Sequence, residues 1–206
     1  MVYNGLMKQP HTKFEQEAWG QGLVVCGIDE VGRGCIAGPV VAAAVSFPKE
    51  HKLHEKIRDS KKVTPKMRAE LFNFILEECD DFGVGLVSAK AIDENGISPA
   101  TKLAMALAIN DLTNKPDQIL IDAVVLDEVT IAQKSIIKGD ENIYSIAAAS
   151  IVAKVFRDSV VSGFDNVYPD YGFSSHKGYG TKVHYEALKK SGLTSEHRRT
   201  FLKNLH

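Results

Sequence analysis

Two apolar runs, residues 23–29 and 39–47, are separated by a turn that holds three glycines, Gly32, Gly34 and Gly38. Small and β-branched residues on both sides of a glycine turn predict an antiparallel hairpin, so the core of this chain begins with a sheet. That makes the end of the first run costly. Asp29 and Glu30 stand where a buried strand offers a carboxylate no water. Neighbours in an extended strand also point to opposite faces. The two acids can share a site only if the strand ends there and the turn swings Glu30 back.

The rest of the chain alternates helix and strand. A short helix is predicted around residues 14–19. Thr64-Pro65 opens a helix to about residue 79, with the threonine as N-cap and the proline in the first turn. Residues 82–89 read as a third strand, and Ser98-Pro99 opens a second helix through about residue 112. The run QILIDAVV, residues 118–125, is apolar nearly throughout and reads as a fourth strand buried on both faces. A fifth strand is expected at 133–138. A long helix follows at 143–164, whose Ala147-Ala148-Ala149-Ser150 run permits close approach to a sheet. A loop at 168–180 precedes a last helix at 181–190. This order predicts an α/β fold with a mixed sheet. Residues 1–22 read as a lead-in and 23–206 as the main domain, helical from about 165.

Two further acids repeat the pattern of Asp29 and Glu30. Asp122 interrupts the fourth strand, and Asp140 follows the fifth, in KGDEN. Each has a structural reading, as a turn residue or a helix cap. If several point into one pocket they repel, by about 4 kcal/mol per pair at ~4 Å and an effective dielectric of 20. Arg or Lys partners relieve that, and so does a divalent cation. Hard oxygen donors suit Mg²⁺, and two such ions about 4 Å apart can clamp a phosphodiester.

Net charge is −1, so the molecule as a whole is no obvious polyanion binder. Its distribution is uneven. From Ser174 onward seven Lys or Arg face two Glu, and four of the seven histidines lie there. A basic end on an acidic body suits phosphates; on charge alone a solvated helix with lysines is the plainer reading. Three cysteines with no CxxC argue against a disulfide scaffold or a structural zinc site and fit a reducing compartment. No apolar run approaches the roughly 20 residues of a membrane span, and the N-terminus lacks an apolar signal core. A cytoplasmic location and no membrane partner are expected.

Gly32-Arg33-Gly34 does not continue into GxGxxG, which argues against a dinucleotide fingerprint. Glycines there let backbone approach a ligand, and Arg33 can grip a phosphate; a tight hairpin with one exposed arginine is the plainer reading. Taken alone, Tyr179 after Lys-Gly reads as a surface anchor, Arg157-Asp158 as an ion pair packing the long helix, and His184 and His197 as structural or near a phosphate.

Six ordered blocks, DEVGRGCIAGPVVAAAV, DSKKVTPKMR, ILIDAV, IIKGDENIYSIAAASIVAKVFRD, YPDYGFSSHKGYGT and HRRTF, resemble bacterial ribonuclease HII, from about residue 22 to 201. The resemblance implies a ribonuclease H-like fold, a mixed central sheet flanked by helices with a helical C-terminal part. It implies hydrolysis of RNA in RNA–DNA hybrids, and nicking of duplex DNA 5′ of embedded ribonucleotides with 5′-phosphate and 3′-hydroxyl ends. It assigns Asp29, Glu30, Asp122 and Asp140 as catalytic ligands of a two-ion site for Mg²⁺ or Mn²⁺. Gly32, Arg33 and Gly34 would sense the ribonucleotide, and Tyr179 would stack on the next sugar. Asp59, Ser60, Lys61, Lys62, Lys177, Lys182, Arg198 and Arg199 would hold the duplex backbone. A monomer is expected. A replication clamp is a candidate partner that the terminal LKNLH is too short to decide. The chain departs from the family at Val31, where alanine is frequent, and at Cys35-Ile36, where proline-leucine is frequent. The sister group ribonuclease HIII usually has GSG-like residues at the turn, so Arg33 favours HII. A ribonuclease HIII-like hybrid nuclease, a related nuclease acting on DNA alone and a non-catalytic hybrid-binding module are the alternatives.

Overall fold

A computed structural model describes residues 9–203 apart from Asp59; of Lys62 it describes the backbone only. The expected substrate contacts at Asp59 and at the Lys62 side chain, and the last three residues of LKNLH, lie outside the described residues.

The hairpin forms. β1 (Val25–Val31) pairs antiparallel with β2 (Val40–Ser46), and β2 with β3 (Asp81–Val87). β4 (Gln118–Asp122) joins β1 in parallel, and β5 (Ala132–Ile136) joins β4 in parallel. The sheet order is β3-β2-β1-β4-β5. Every residue of β2 is buried, because both faces are covered.

Alternation along the strands sorts the core into two layers. Cys26, Ile28, Ala42 and Ala44 face one side, where Ala104, Met105 and Ala108 of the helix at Ile97–Asp111 meet them. Val31, Val41, Ala43 and Val45 face the other, against Ala147, Ala148 and Ile151 of the long helix and Leu71 and Ile75 of a second helix. In chain order the helices are α1 (Lys13–Gly20), α2 (Pro65–Glu78), α3 (Ala89–Asn95), α4 (Ile97–Asp111), α5 (Gly139–Asn142), α6 (Tyr144–Gly163), α7 (Phe173–His176) and α8 (Lys182–Ser191). Thr64 caps α2 as expected, accepting from the Met67 amide at 3.3 Å. The small residues of α6 are buried along its sheet-facing side, as the close approach requires. The C-terminal helices close a third cluster around Phe173, Tyr171 and Leu188, and this cluster takes in Ile36 and Ala37 from the glycine turn.

Several expectations need correction. β4 stops at Asp122, three residues early, because Ala123 turns left-handed at φ 49°. α3 forms where no helix was expected, capped by the Ser88 hydroxyl. The loop at 168–180 contains the short helix α7. Cys26, Cys35 and Cys79 are free thiols. Among the described residues no helix is long and apolar enough to cross a membrane.

Candidate active site

The parallel pairing of β1 with β4 ends at Ile28 and Ile121. Asp29 and Glu30 on one strand and Asp122 on the other therefore lie just beyond the carboxyl end of this pair, the usual place for a ligand crevice in an α/β sheet. The strand does not end at Asp29, contrary to expectation. It runs on to Val31, so Asp29 faces α6 while Glu30 lies on the opposite pleat. They still share a field, because no further strand pairing separates either from Asp122. Burial, then the Glu30 charge and the Asp122 charge, hold the Asp29 carboxyl well above the usual carboxylate range; a hydrogen bond from Ser150 opposes this. Burial also raises Glu30, against the nearby Arg33 guanidinium, which lies 3.4 Å away.

Asp140 enters through its neighbour. The Gly139 amide donates to Asp122 Oδ1 at 2.7 Å, tying the start of α5 to the end of β4. Three non-glycine residues of the described chain take a left-handed backbone, Ala123, Lys138 and Lys177. Each lies within two residues of Asp122, Asp140 or Tyr179. Such conformations cost energy and persist where surrounding structure imposes them, commonly at sites.

The glycine turn opens on a cleft of about 240 Å³ lined by Glu30, Gly32, Arg33, Gly34, Lys61 and Tyr179, with Ser60 and Lys154. Gly32 has φ 93°, and a Cβ there would overlap the Arg157 side chain. Behind the turn sit two fully buried arginines. Arg157 donates to the carbonyls of Pro39 (2.9 Å), Lys177 (2.9 Å) and Ala37 (3.1 Å). Arg198 donates to those of Gly38 (3.0 Å) and Arg33 (2.9 Å). Arg198 thus braces the turn from inside and is not placed to touch a phosphate. Arg157 likewise makes no ion pair with Asp158; that carboxylate pairs with Lys154 at 2.6 Å and Arg68 at 3.7 Å.

The other expected contacts divide. Lys61 lines the cleft. Lys177 is half-buried and bonded to the Ser162 hydroxyl, and Lys182 is exposed beside Glu186 at 3.8 Å. Arg199 is exposed, with its amide on Asp93 at 2.8 Å. His184 and His197 are buried and bonded to each other, in keeping with a structural role. Sequence reasoning passed over Lys154, whose ammonium sits 5.5 Å from the centre of the Tyr179 ring. It lies one helical turn before Asp158, an i, i+4 pair that was visible in the sequence. For Ser60 the expectation is a contact to the duplex backbone. It is buried instead, 3.0 Å from Ser150 Oγ.

The acids near Asp29 offer oxygen donors only, and burial with the neighbouring charges raises the proton affinity of Asp29 and Glu30. That chemistry fits a hard divalent cation, which would replace protons as the neutralising charge. Among the described residues, no three acid, histidine or thiol groups already form a closed metal cage.

Residues 26–205 match the family model for ribonuclease HII. A curated ribonuclease HII of Clostridioides difficile (strain 630) is 53% identical over 193 residues, spanning 93% of this chain and 75% of that protein. Among solved structures, ribonuclease H2 from Pyrococcus horikoshii OT3 superposes with a TM-score of 0.74 at 28% identity, over 89% of this chain and 97% of that one. Ribonuclease HII of Archaeoglobus fulgidus, solved as a complex with PCNA, does so with a TM-score of 0.72 at 29% identity, over 85% and 94%.

Proposed function

The chain belongs to the ribonuclease HII family and is an endoribonuclease acting on RNA–DNA hybrids; we propose that it also nicks duplex DNA on the 5′ side of an embedded ribonucleotide, leaving 5′-phosphate and 3′-hydroxyl ends. One observation carries this reading: Asp29, Glu30 and Asp122 come within electrostatic reach of one another, and Glu30 shares a cleft with the Gly32-Arg33-Gly34 turn and Tyr179.

Asp29, Glu30, Asp122 and Asp140 would hold Mg²⁺ or Mn²⁺ ions. When bound, such ions polarise a phosphodiester and ease deprotonation of the attacking water. The remaining work falls to the chain itself. Gly32 and Gly34 let the turn's backbone approach a sugar closely, so its amides and carbonyls can test for the 2′-hydroxyl, the group that separates RNA from DNA. The buried guanidiniums of Arg157 and Arg198 hold the turn's carbonyls, so the test is made by a rigid surface. Tyr179, with its ring exposed in the cleft, stacks on the next sugar, where a deoxyribose fits and a ribose hydroxyl crowds. Lys61 and Lys154 face the backbone phosphates, giving affinity that weakens with salt. A replication clamp is a further partner, a reading supported by the archaeal relative solved with PCNA. Co-elution with its host's clamp tests it.

The decisive experiment uses duplex DNA with one ribonucleotide, incubated with Mg²⁺ or with EDTA, and maps the cut. A single metal-dependent nick 5′ of the ribonucleotide is expected. Equal cutting of all-DNA duplex would overturn the reading.

A further inference from the structure

Beneath Tyr179 lies a cluster of three buried imidazoles from separate segments: His176 of α7, His184 of α8 and His197 before Arg198. The rings of His176 and His184 stack, with centroids 3.9 Å apart and planes 15° from parallel. His184 Nε2 lies 2.9 Å from His197 Nε2. Three imidazoles in contact would repel if charged. Burial pushes His184 and His197 down to about 4.

Their partners fix the tautomers. His184 Nδ1 is 2.9 Å from the Tyr179 carbonyl, which can only accept, so Nδ1 carries the hydrogen. Its Nε2 is then a bare acceptor, and His197 Nε2–H must donate to it. His197 Nδ1 is left bare, and accepts from the Thr194 amide at 3.0 Å. His176 Nδ1 accepts from the Gly178 amide at 3.1 Å, so its Nε2–H donates to the Tyr171 carbonyl at 2.9 Å. One neutral arrangement satisfies all six ring nitrogens. The opposite tautomer at His184 would set N–H against N–H at His197 and lone pair against lone pair at Tyr179.

The stacked pair therefore grips the two ends of one dipeptide. His176 takes the Gly178 N–H, and His184 takes the Tyr179 C=O. Only glycine fits between the grips, since φ at Gly178 is 79° and a Cβ would run into the Ala37 carbonyl. Between the two grips, the Gly178 carbonyl accepts from the amides of Ile36 and Ala37 at 3.0 and 3.2 Å, in the segment that follows the Gly32-Arg33-Gly34 turn. The element that stacks on a sugar is thus registered against the turn that reads a 2′-hydroxyl.

We infer that His184, backed by His176 and His197, is a positioning residue for Tyr179: its Nδ1–H holds the tyrosine backbone, and so sets where the ring stands relative to the glycine turn. The inference rests on the reading of Tyr179 as the sugar-stacking residue. It predicts that His184 acts on substrate choice and not only on stability.

The test compares the rate of nicking at one embedded ribonucleotide with the rate on a continuous RNA–DNA hybrid, and takes their ratio. Y179A should lower the ratio. H184F, which keeps a ring in the stack but removes the donor, should lower it in the same direction by about five-fold, the scale of one lost hydrogen bond. H184N, whose side-chain amide can replace the Nδ1–H, should recover most of the loss. In a Y179A background H184F should change the ratio no further. A folded H184F with the wild-type ratio, beside a shifted Y179A, overturns the inference alone. A wild-type ratio in Y179A overturns the reading of Tyr179 and the inference with it. Should H184F fail to fold, nitrogen NMR of the wild-type histidines decides: His184 is expected with hydrogen on Nδ1, and hydrogen on Nε2 would overturn the inference.

Discussion

Asp122 Oδ1 accepts a 2.7 Å hydrogen bond from the Gly139 amide, so one carboxylate both faces the acid cluster and anchors the segment that bears Asp140. The two duties separate on substitution. An asparagine keeps an oxygen that can accept from Gly139, while the negative charge is lost. D122N is expected to fold with stability within about 1 kcal/mol of wild type, the scale of one hydrogen bond. Its single-turnover cleavage should fall at least ~100-fold, as for loss of a charge-stabilising group, with hybrid affinity retained. Cleavage near the wild-type rate would remove Asp122 from the site.

Asp29 gives a prediction with opposite signs for stability and function. Its carboxyl is held well above the usual range by burial and by the Glu30 and Asp122 charges. Protons and divalent cations therefore compete for it, and the half-saturating Mg²⁺ concentration in a cleavage assay should fall as pH rises from 6 to 8. For stability the raised value works the other way. The contribution is full below the unfolded carboxyl's range and is lost as pH rises through the folded one. D29N removes that penalty, and in metal-free buffer at pH 8 it should be more stable by ~1–3 kcal/mol, the scale for a buried polar group without compensation, while inactive. Urea titration measures the first. A D29N that is less stable than wild type would show that the acids are not strained.

What could be read in the sequence was local. The hairpin, the Thr64 cap and the small-residue face of α6 follow from patterns within a few residues. What could not be read depends on partners far along the chain. Arg157 beside Asp158 looks like an ion pair, yet its guanidinium serves carbonyls at 37 and 39, more than a hundred residues away. Arg198 looks like a phosphate grip and serves the same turn from inside. β4 ends three residues sooner than its apolar content predicts, because the backbone turns at Ala123. The α3 helix has a sign in the sequence: Ser88 ahead of Ala89 and Ile92, a serine cap before the helix's buried positions. For the acids, the residues were visible and their place beyond the end of the β1–β4 pairing was not. Adjacent Asp29 and Glu30 were expected to need the strand's end, and the end of the neighbouring strand suffices.

Arg157 should be sensitive to loss of its fork of donors. R157M keeps much of the volume and leaves the carbonyls of Pro39, Ala37 and Lys177, the first two fully buried, without their guanidinium partner. A cost of about 3 kcal/mol is expected, several unpaired buried groups with partial relaxation. R157K, with a point charge that cannot span three acceptors, should recover less than half of that. Urea unfolding of both variants checks the order. Equal stability of R157K and wild type would show that charge, not the planar fork, holds the turn.

Glu15 of α1 caps α6 from outside that helix: its Oε1 accepts from the Ser145 amide at 3.0 Å and the Ser145 hydroxyl at 2.7 Å. The cap is buried, and burial raises the Glu15 carboxyl above its ordinary value despite both bonds. The folded state therefore binds this proton more tightly than the unfolded state. Stability from Glu15 is greatest below the ordinary glutamate range and falls as pH rises through the raised value. E15Q keeps the accepting oxygen and does not titrate. The stability of wild type minus that of E15Q should decline from pH 4 to pH 8. E15A removes the cap and should cost about 1–2 kcal/mol across that range, the scale of a lost N-cap. Chemical unfolding of the three proteins at several pH values measures both effects. If the wild-type and E15Q curves run parallel, Glu15 ionises in the folded protein as it does in the unfolded chain, and its burial does not govern how α6 is held.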